Sequence, residues 1–455
     1  MNKSMTRVFP WARLVLMATI LLYQSMGLHA QLSTHEIPYG ILNRLDAAKI
    51  APRIFFFKPS MVDSIALEQV GPMLAGVSIP VGMVFAEEAV RTELGDGSTL
   101  WQLKIEVPGA QHLGVAFSEL YIPDDDKMYI YDESGKNYIG AFTSKNNSIF
   151  GFFSTHILPA SVIIIEYHSQ NSLKGFTPDF VIDEMIYVFS DYMLRQEQNF
   201  LKSSGACNVN INCPEGQMWK KQKRGTAQIL LKSGTQWFNC TGSLVNNTEQ
   251  DAKPYLLTAD HCGTNSTTED IQKWQFYFNY EYSGCQSSGT APRNMMLTGA
   301  ELKAKSPIQG GSDFKLLLLN QNVPNSWNPY YNGWTRSETA PEYGVGIHHP
   351  QGDPKKISTF TNALTSTTFT GGLSQGYWRV IWSQTVSGHG VTEPGSSGSP
   401  IFSSEGLIVG TLTGGSASCT APNQPDVYGK FGFHWDALGS SADKSLKTWL
   451  DPNNN

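Results

Sequence analysis

Leu257-Thr258-Ala259-Asp260-His261-Cys262 is a short apolar strand that ends in a histidine held in place by a neighbouring cysteine. Two further stretches complement it. Gly311-Ser312-Asp313-Phe314-Lys315-Leu316-Leu317-Leu318 sets an aspartate at the mouth of an apolar strand, and Glu393-Pro394-Gly395-Ser396-Ser397-Gly398-Ser399-Pro400 sets a serine in a glycine-rich turn. A serine hydroxyl is a poor nucleophile until a neutral imidazole takes its proton, and the imidazolium so formed is stabilised by a buried carboxylate. His261, Asp313 and Ser397 supply those three parts in chain order, 52 and 84 residues apart. The glycines let the backbone approach a substrate carbonyl, so that the N–H groups of Gly395 and Ser397 can meet a developing oxyanion.

The region around these motifs reads as strands almost throughout, as in Ala227 to Leu231, Tyr255 to Thr258, Lys273 to Tyr280 and Leu407 to Gly410. A helix is expected only near the end, over Ser441 to Leu450, stopped by Pro452. An all-β unit of about 250 residues can form two packed barrels. All six cysteines (Cys207, Cys213, Cys240, Cys262, Cys285 and Cys419) lie in this region. An even number of cysteines in an oxidising compartment reads as three disulfides, and six cysteines allow about 15 pairings.

Upstream the chain changes character. Residues 31–202 carry 12 Lys+Arg against 21 Asp+Glu, whereas residues 203–455 carry 18 of each. Alternating runs such as Leu100 to Val107 and Lys127 to Asp132, with the branched run Val162-Ile163-Ile164-Ile165, suggest a β-rich sandwich. It shows no catalytic, metal-ligand or phosphate-loop pattern, and reads as a binding module or a removable pro-region. Before it, Lys3, Arg7 and Arg13 precede the apolar run Leu14 to Tyr23 and a cleavage-like Leu28-His29-Ala30. That is the form of a secretory signal peptide, and the run is too short for a membrane span. The expected division is therefore 1–30 signal peptide, 31–202 β-rich pro-region and 203–455 catalytic domain. The product would be secreted, or periplasmic in a source with two membranes. The net charge of −6 offers no overall basic surface for nucleic acid.

The Thr-Ala-x-His-Cys, Ser-Asp-Phe and Gly-x-Ser-Gly-x-Pro motifs resemble chymotrypsin-like serine proteases. The segment from Cys207 onward resembles the lysyl endopeptidases in Cys213-Pro214-Glu215-Gly216, Cys240-Thr241-Gly242-Ser243, Ile347-His348-His349-Pro350 and Trp449-Leu450-Asp451-Pro452. The resemblance implies a double β-barrel with the site between barrels, and a precursor whose N-terminal region is removed. It also implies disulfides joining Cys207 with Cys419, Cys213 with Cys285, and Cys240 with Cys262. In such enzymes the strand type Thr411-Leu412-Thr413-Gly414-Gly415 binds substrate backbone, and Asp426 lies at the back of the specificity pocket. A buried carboxylate is costly unless a charge meets it, so Asp426 suits a lysine ammonium, with Glu393 expected either to narrow the pocket or to be structural.

Thr413 stands where these relatives carry histidine, and Asp260, beside His261, is expected to be variable surface. His348-His349 lacks an evident third metal ligand. The expected activity is cleavage after lysine in polypeptides by a monomer that needs no cofactor or metal. The rival readings are an inactive protease fold kept for binding, and a protease of arginine or other specificity. A lysine-directed enzyme could also release itself by cutting between Lys202 and Ser203.

Overall fold

The computed structural model describes residues 36–57, 72–170, 176–188, 204–287 and 291–454. The expected signal peptide and the Lys202–Ser203 bond lie outside these residues. Among them the fold is all-β, and its strands form three sheets. No described helix is long and apolar enough to cross a membrane.

The first sheet belongs wholly to the N-terminal unit and contains Thr99–Glu106, Val162–Ser169 and Lys127–Asp132 at its centre. A second layer faces it, formed by Met73–Val84, Val181–Val188 and His112–Ser118. Inward-pointing residues of both layers, among them Val77, Ile105, Val115, Ile130, Ile163, Ile165 and Met185, make one core. The alternating patterns place one apolar face of each layer against the other, which is the condition for a sandwich.

The sandwich does not end at its own edge. Met73–Val84 pairs antiparallel with Gln236–Leu244, so the second layer continues into the first barrel as a single 11-stranded sheet. That barrel adds Thr226–Ser233, Tyr255–Thr258, Gln275–Tyr277, Met296–Thr298, Ala300–Ser306 and Phe314–Leu319 around Ile229, Leu256, Trp274, Phe276 and Leu317. The second barrel is built on an eight-stranded sheet that includes Gly344–His348, Pro400–Ser403, Ile408–Gly415 and Asp426–Lys430. Leu257, Leu316, Val345, Ile347 and Phe402 form an apolar layer drawn from both barrels.

Three disulfides, Cys207–Cys419, Cys213–Cys285 and Cys240–Cys262, tie this C-terminal half together. The helix expected over Ser441 to Leu450 is confined to Lys447–Leu450. Two more short helices lie outside that expectation, Thr268–Gln272, capped by Thr267, and Phe431–Asp436, whose Phe431, His434 and Trp435 are buried. Only about a turn and a half long, each has too few residues for an apolar stripe to show in the sequence.

Candidate active site

His261 and Asp313 are brought together by strand pairing. Tyr255–Thr258 and Phe314–Leu319 are antiparallel neighbours, with Thr258 opposite Lys315. The residues just after the first strand and just before the second therefore emerge at the same end of the sheet. Asp313 is fully buried; its Oδ2 lies 2.7 Å from His261 Nδ1, and its Oδ1 accepts the His261 backbone N–H at 3.0 Å. Two contacts to one carboxylate fix the ring's orientation and leave Nε2 facing away. That nitrogen is buried and has no hydrogen-bond partner among the described residues.

Asp313 adopts a left-handed backbone with φ of 62°, a conformation that aspartate tolerates better than most residues. Its neighbour Ser312 is pinned by Ser306 Oγ, at 2.9 Å from the Ser312 N–H, and by His434 Nδ1, at 2.9 Å from the Ser312 hydroxyl. Burial pushes the Asp313 carboxyl pKa upward, but the charge and hydrogen bonds of His261 outweigh it and hold the group below the usual aspartate range. Thr413 also faces this carboxylate and pulls in the same direction, although its buried hydroxyl makes no hydrogen bond of good geometry. The imidazole contacts carry the effect.

Ser397 comes from the second barrel, at a turn that docks on the first. Its carbonyl accepts the Thr241 N–H at 2.8 Å, and Cys262 Sγ lies 3.6 Å from the same oxygen. Because Cys262 follows His261 and is bonded to Cys240, the nucleophile candidate and the base candidate share one support. No hydrogen bond links Ser397 to His261 in this structure. Gly395 and Gly398 take φ of 94° and 78°, which a side chain would disfavour. A Cβ at Gly398 would also collide with Thr258 Oγ1. The N–H groups of Gly395 and Ser397 donate to no acceptor among the described residues. Behind them, Ser396 Oγ meets His348 Nδ1 at 2.8 Å, and His348 Nε2 meets Ser358 Oγ at 2.9 Å. Burial lowers the His348 pKa to about 3, so it braces the turn as a neutral ring.

Asp426 opens the strand Asp426–Lys430 and is paired on one side with Gly415 and on the other with Val380. It is 1% exposed. Its Oδ2 accepts from Trp382 Nε1 and Thr392 Oγ1, both at 2.6 Å, and its Oδ1 from the Ala417 N–H at 3.1 Å. No lysine or arginine among the described residues pairs with it, and burial holds its pKa above the ordinary value. A Cβ at Gly415 would collide with Oδ1, so only glycine leaves that face of the carboxylate open. In the strand that carries Gly415 the register slips between Leu412 and Gly414, which makes Thr413 the bulged residue.

Asp260, expected as variable surface, is 1% exposed. The reason is Lys315, whose ammonium lies 3.7 Å from the Asp260 carboxylate and donates to the carbonyls of Asp260, Cys262 and Gly263 at 3.3, 3.0 and 2.8 Å. Burial lowers the Lys315 pKa to about 8, so the pair clasps the loop that carries His261 from beneath. Glu393 directs its carboxylate at the Gly205 N–H, 3.1 and 3.2 Å away, while Ser204 binds Asp353 through its N–H at 2.8 Å and its hydroxyl at 2.7 Å. Together these acids anchor the start of the C-terminal half beside the Ser397 turn.

Residues 201–429 match the family model for the lysyl endopeptidase C-terminal domain. The chain is 24% identical over 342 residues to a lysyl endopeptidase of Pseudomonas aeruginosa, covering 72% of this chain and 71% of that one. Among solved structures it is similar to the protease Anisep from Arthrobacter nicotinovorans, at 16% identity and a TM-score of 0.35 over 53% of this chain and 99% of that chain. It is also similar to a thermostable serine protease, AL20, from an extremophilic microorganism, at 16% identity and a TM-score of 0.33 over 46% and 92% of the two chains.

Proposed function

The chain belongs to the lysyl endopeptidase family and is a serine endopeptidase, and from that premise we propose that it cuts peptide bonds on the carboxyl side of lysine, with Ser397 as nucleophile, His261 as base and Asp313 as its orienting carboxylate. Ser397 Oγ adds to the scissile carbonyl carbon while its proton passes to His261 Nε2. The oxyanion is met by the N–H groups of Gly395 and Ser397. Collapse breaks the C–N bond, and the imidazolium gives its proton to the leaving amine. Water then repeats the sequence on the acyl-enzyme and restores the serine. The free Nε2 on a ring locked by two contacts to Asp313 supports these roles.

Lysine preference rests on one observation, the buried Asp426 carboxylate that has neutral hydrogen-bond donors but no cation. A lysine ammonium entering beside Gly415 supplies the missing charge, whereas an apolar side chain leaves it unmatched. Thr413, Gly414 and Gly415 would offer backbone to the substrate, and Glu393 supports the turn through Gly205. We further propose a secreted precursor with a 1–30 signal, a 31–202 pro-region and a 203–455 catalytic domain, released at Lys202–Ser203; the three disulfides fit an oxidising compartment.

The test is hydrolysis of small esters that differ only in the residue before the scissile bond. Lysine should exceed arginine, and both should far exceed glutamate and leucine, in kcat/KM. Equal rates across the panel, or none, would contradict the proposal.

A further inference from the structure

We propose that the N-terminal unit occupies the leaving-group side of the cleft as a substitute strand, so that while it is docked it blocks long peptides but not small substrates. This rests on the reading of Ser397 and Asp426 given above.

Gln236–Leu244 carries three occupants on one edge, the first being Tyr255–Thr258 at Ser243 and Leu244. At Thr241 its N–H holds the Ser397 carbonyl, and from Asn239 back to Gln236 it pairs with Met73, Leu74, Gly76 and Val77. The two positions are two strand residues apart, roughly 7 Å at about 3.4 Å per residue. Asp426 belongs to the second-barrel sheet, whereas Met73 pairs with a strand of the first barrel. A substrate whose lysine enters the Asp426 pocket must send its leaving segment toward the first barrel, along the edge that Met73 has taken. An extended peptide needs such an edge for its own backbone hydrogen bonds.

Further contacts carry the edge to the oxyanion turn. Asn239 Oδ1 accepts from Gln228 Nε2 at 3.0 Å, and the same Gln228 nitrogen donates to the Gly352 carbonyl at 2.8 Å. Gln351, beside Gly352, donates its N–H to the Pro394 carbonyl at 2.6 Å.

Side chains clamp the docked strand. Trp237 Nε1 donates to Ser78 Oγ at 2.9 Å, and Ala75, Ile157 and Ile186 of the N-terminal unit pack with Leu230, Trp237 and Tyr277 of the barrel. Ionic contacts flank this apolar patch. Lys273 Nζ lies 2.9 Å from Asp183 and 3.7 Å from Glu184, and Lys232 lies 3.7 Å from Glu184. The acidic excess of residues 31–202 thus meets two lysines of the catalytic half. A surface of this kind does not need the covalent link to hold, so the unit should stay docked after the chain is cut and weaken as salt rises.

The test uses the full chain carrying a site for an unrelated sequence-specific protease between Lys202 and Ser203. After cutting, the pieces should co-elute at low salt. The complex should hydrolyse a small lysyl ester within twofold of the separated catalytic piece, yet cut a peptide extending four residues beyond lysine at least tenfold more slowly. High salt, or Lys273→Glu, should restore peptide cleavage; Asp183→Lys combined with Lys273→Glu should reinstate the block. Equal rates of complex and separated piece toward the long peptide, or pieces that part at once at low salt, would overturn the inference alone. A separated catalytic piece inert toward the ester would overturn the functional reading and this inference together.

Discussion

Glu166 in the N-terminal unit and Asp426 in the catalytic half are both buried carboxylates without a cation, and they differ in what surrounds them. Glu166 is enclosed: Tyr131 donates to it at 2.8 Å, Gln102 at 3.0 Å and the Gly40 N–H at 3.0 Å, on the sheet face shared with Tyr131 and Ile164 and covered by the segment that carries Gly40 and Ile41. Asp426 sits at the first residue of a strand, its neighbour Gly415 lacking a side chain, in the barrel that supplies Ser397. Elsewhere in that half the buried Asp313 is partnered by His261 and the buried Asp260 by Lys315. We therefore read as the proposed pocket the carboxylate that shares a barrel with the candidate nucleophile and has no partner of the kind Asp313 and Asp260 possess. Burial raises the pKa of both acids, so that property alone does not separate them.

The largest effect expected from breaking this arrangement is at the nucleophile. Ser397→Ala should lower turnover by about 10⁴ to 10⁶ while leaving the three disulfides formed, as measured by ester hydrolysis and thiol titration of the same preparation. Next comes the carboxylate comparison itself. Asp426→Asn keeps the shape and removes the charge, leaving a bound ammonium uncompensated at a cost of about 3 to 5 kcal/mol, so lysine selectivity should fall by a factor of at least about 100. Glu166→Gln should leave kcat/KM unchanged within about twofold. If the two variants behave alike, the distinction drawn between the regions is wrong.

A smaller effect is expected at Lys315. Lys315→Met strands the Asp260 carboxylate and three carbonyls, and should cost about 3 kcal/mol in urea-unfolding stability. Turnover should fall about tenfold at unchanged KM as the His261 loop loosens. Asp260→Asn, which keeps the ammonium on the carbonyls, should retain more of both.

Acid should affect both regions gradually. Burial lowers the pKa of His156 in the N-terminal unit, and of His348 and His434 in the catalytic half, from the ordinary 6.5 to about 3. The unfolded chain binds those protons first, so the stability these groups contribute is intact above about pH 6.5 and is lost as pH falls toward 3. The urea midpoint should drop steadily across that window. A flat profile would show that the rings are not buried as neutral groups.

Much of this was legible in the sequence because it is local. Alternation and turn residues announced the strands, and three motifs in a fixed order announced the candidate site. Non-local contacts were not legible. Asp260 and Lys315 lie in different motifs and meet only because Thr258 pairs with Lys315, so neither motif alone predicts an ion pair. Trp382 and Thr392 hold Asp426 from sequence positions 44 and 34 residues away. The acidic bias upstream was visible, but its lysine partners are scattered through a neutral region. Nothing in either strand's own pattern said that Met73 and Asn239 would share an edge. The disulfide pairing followed from resemblance, since spacing alone leaves it open.

Acylation of Ser397 by substrates that carry lysine is tested most directly by a burst experiment. A lysyl nitrophenyl ester mixed with the separated catalytic half should release about one equivalent of nitrophenol per chain before the steady rate, with the acyl group found by mass spectrometry on the peptide containing Ser397. Ser397→Ala should show no burst. A burst that survives this substitution, or an acyl group attached to any other residue, would contradict the account.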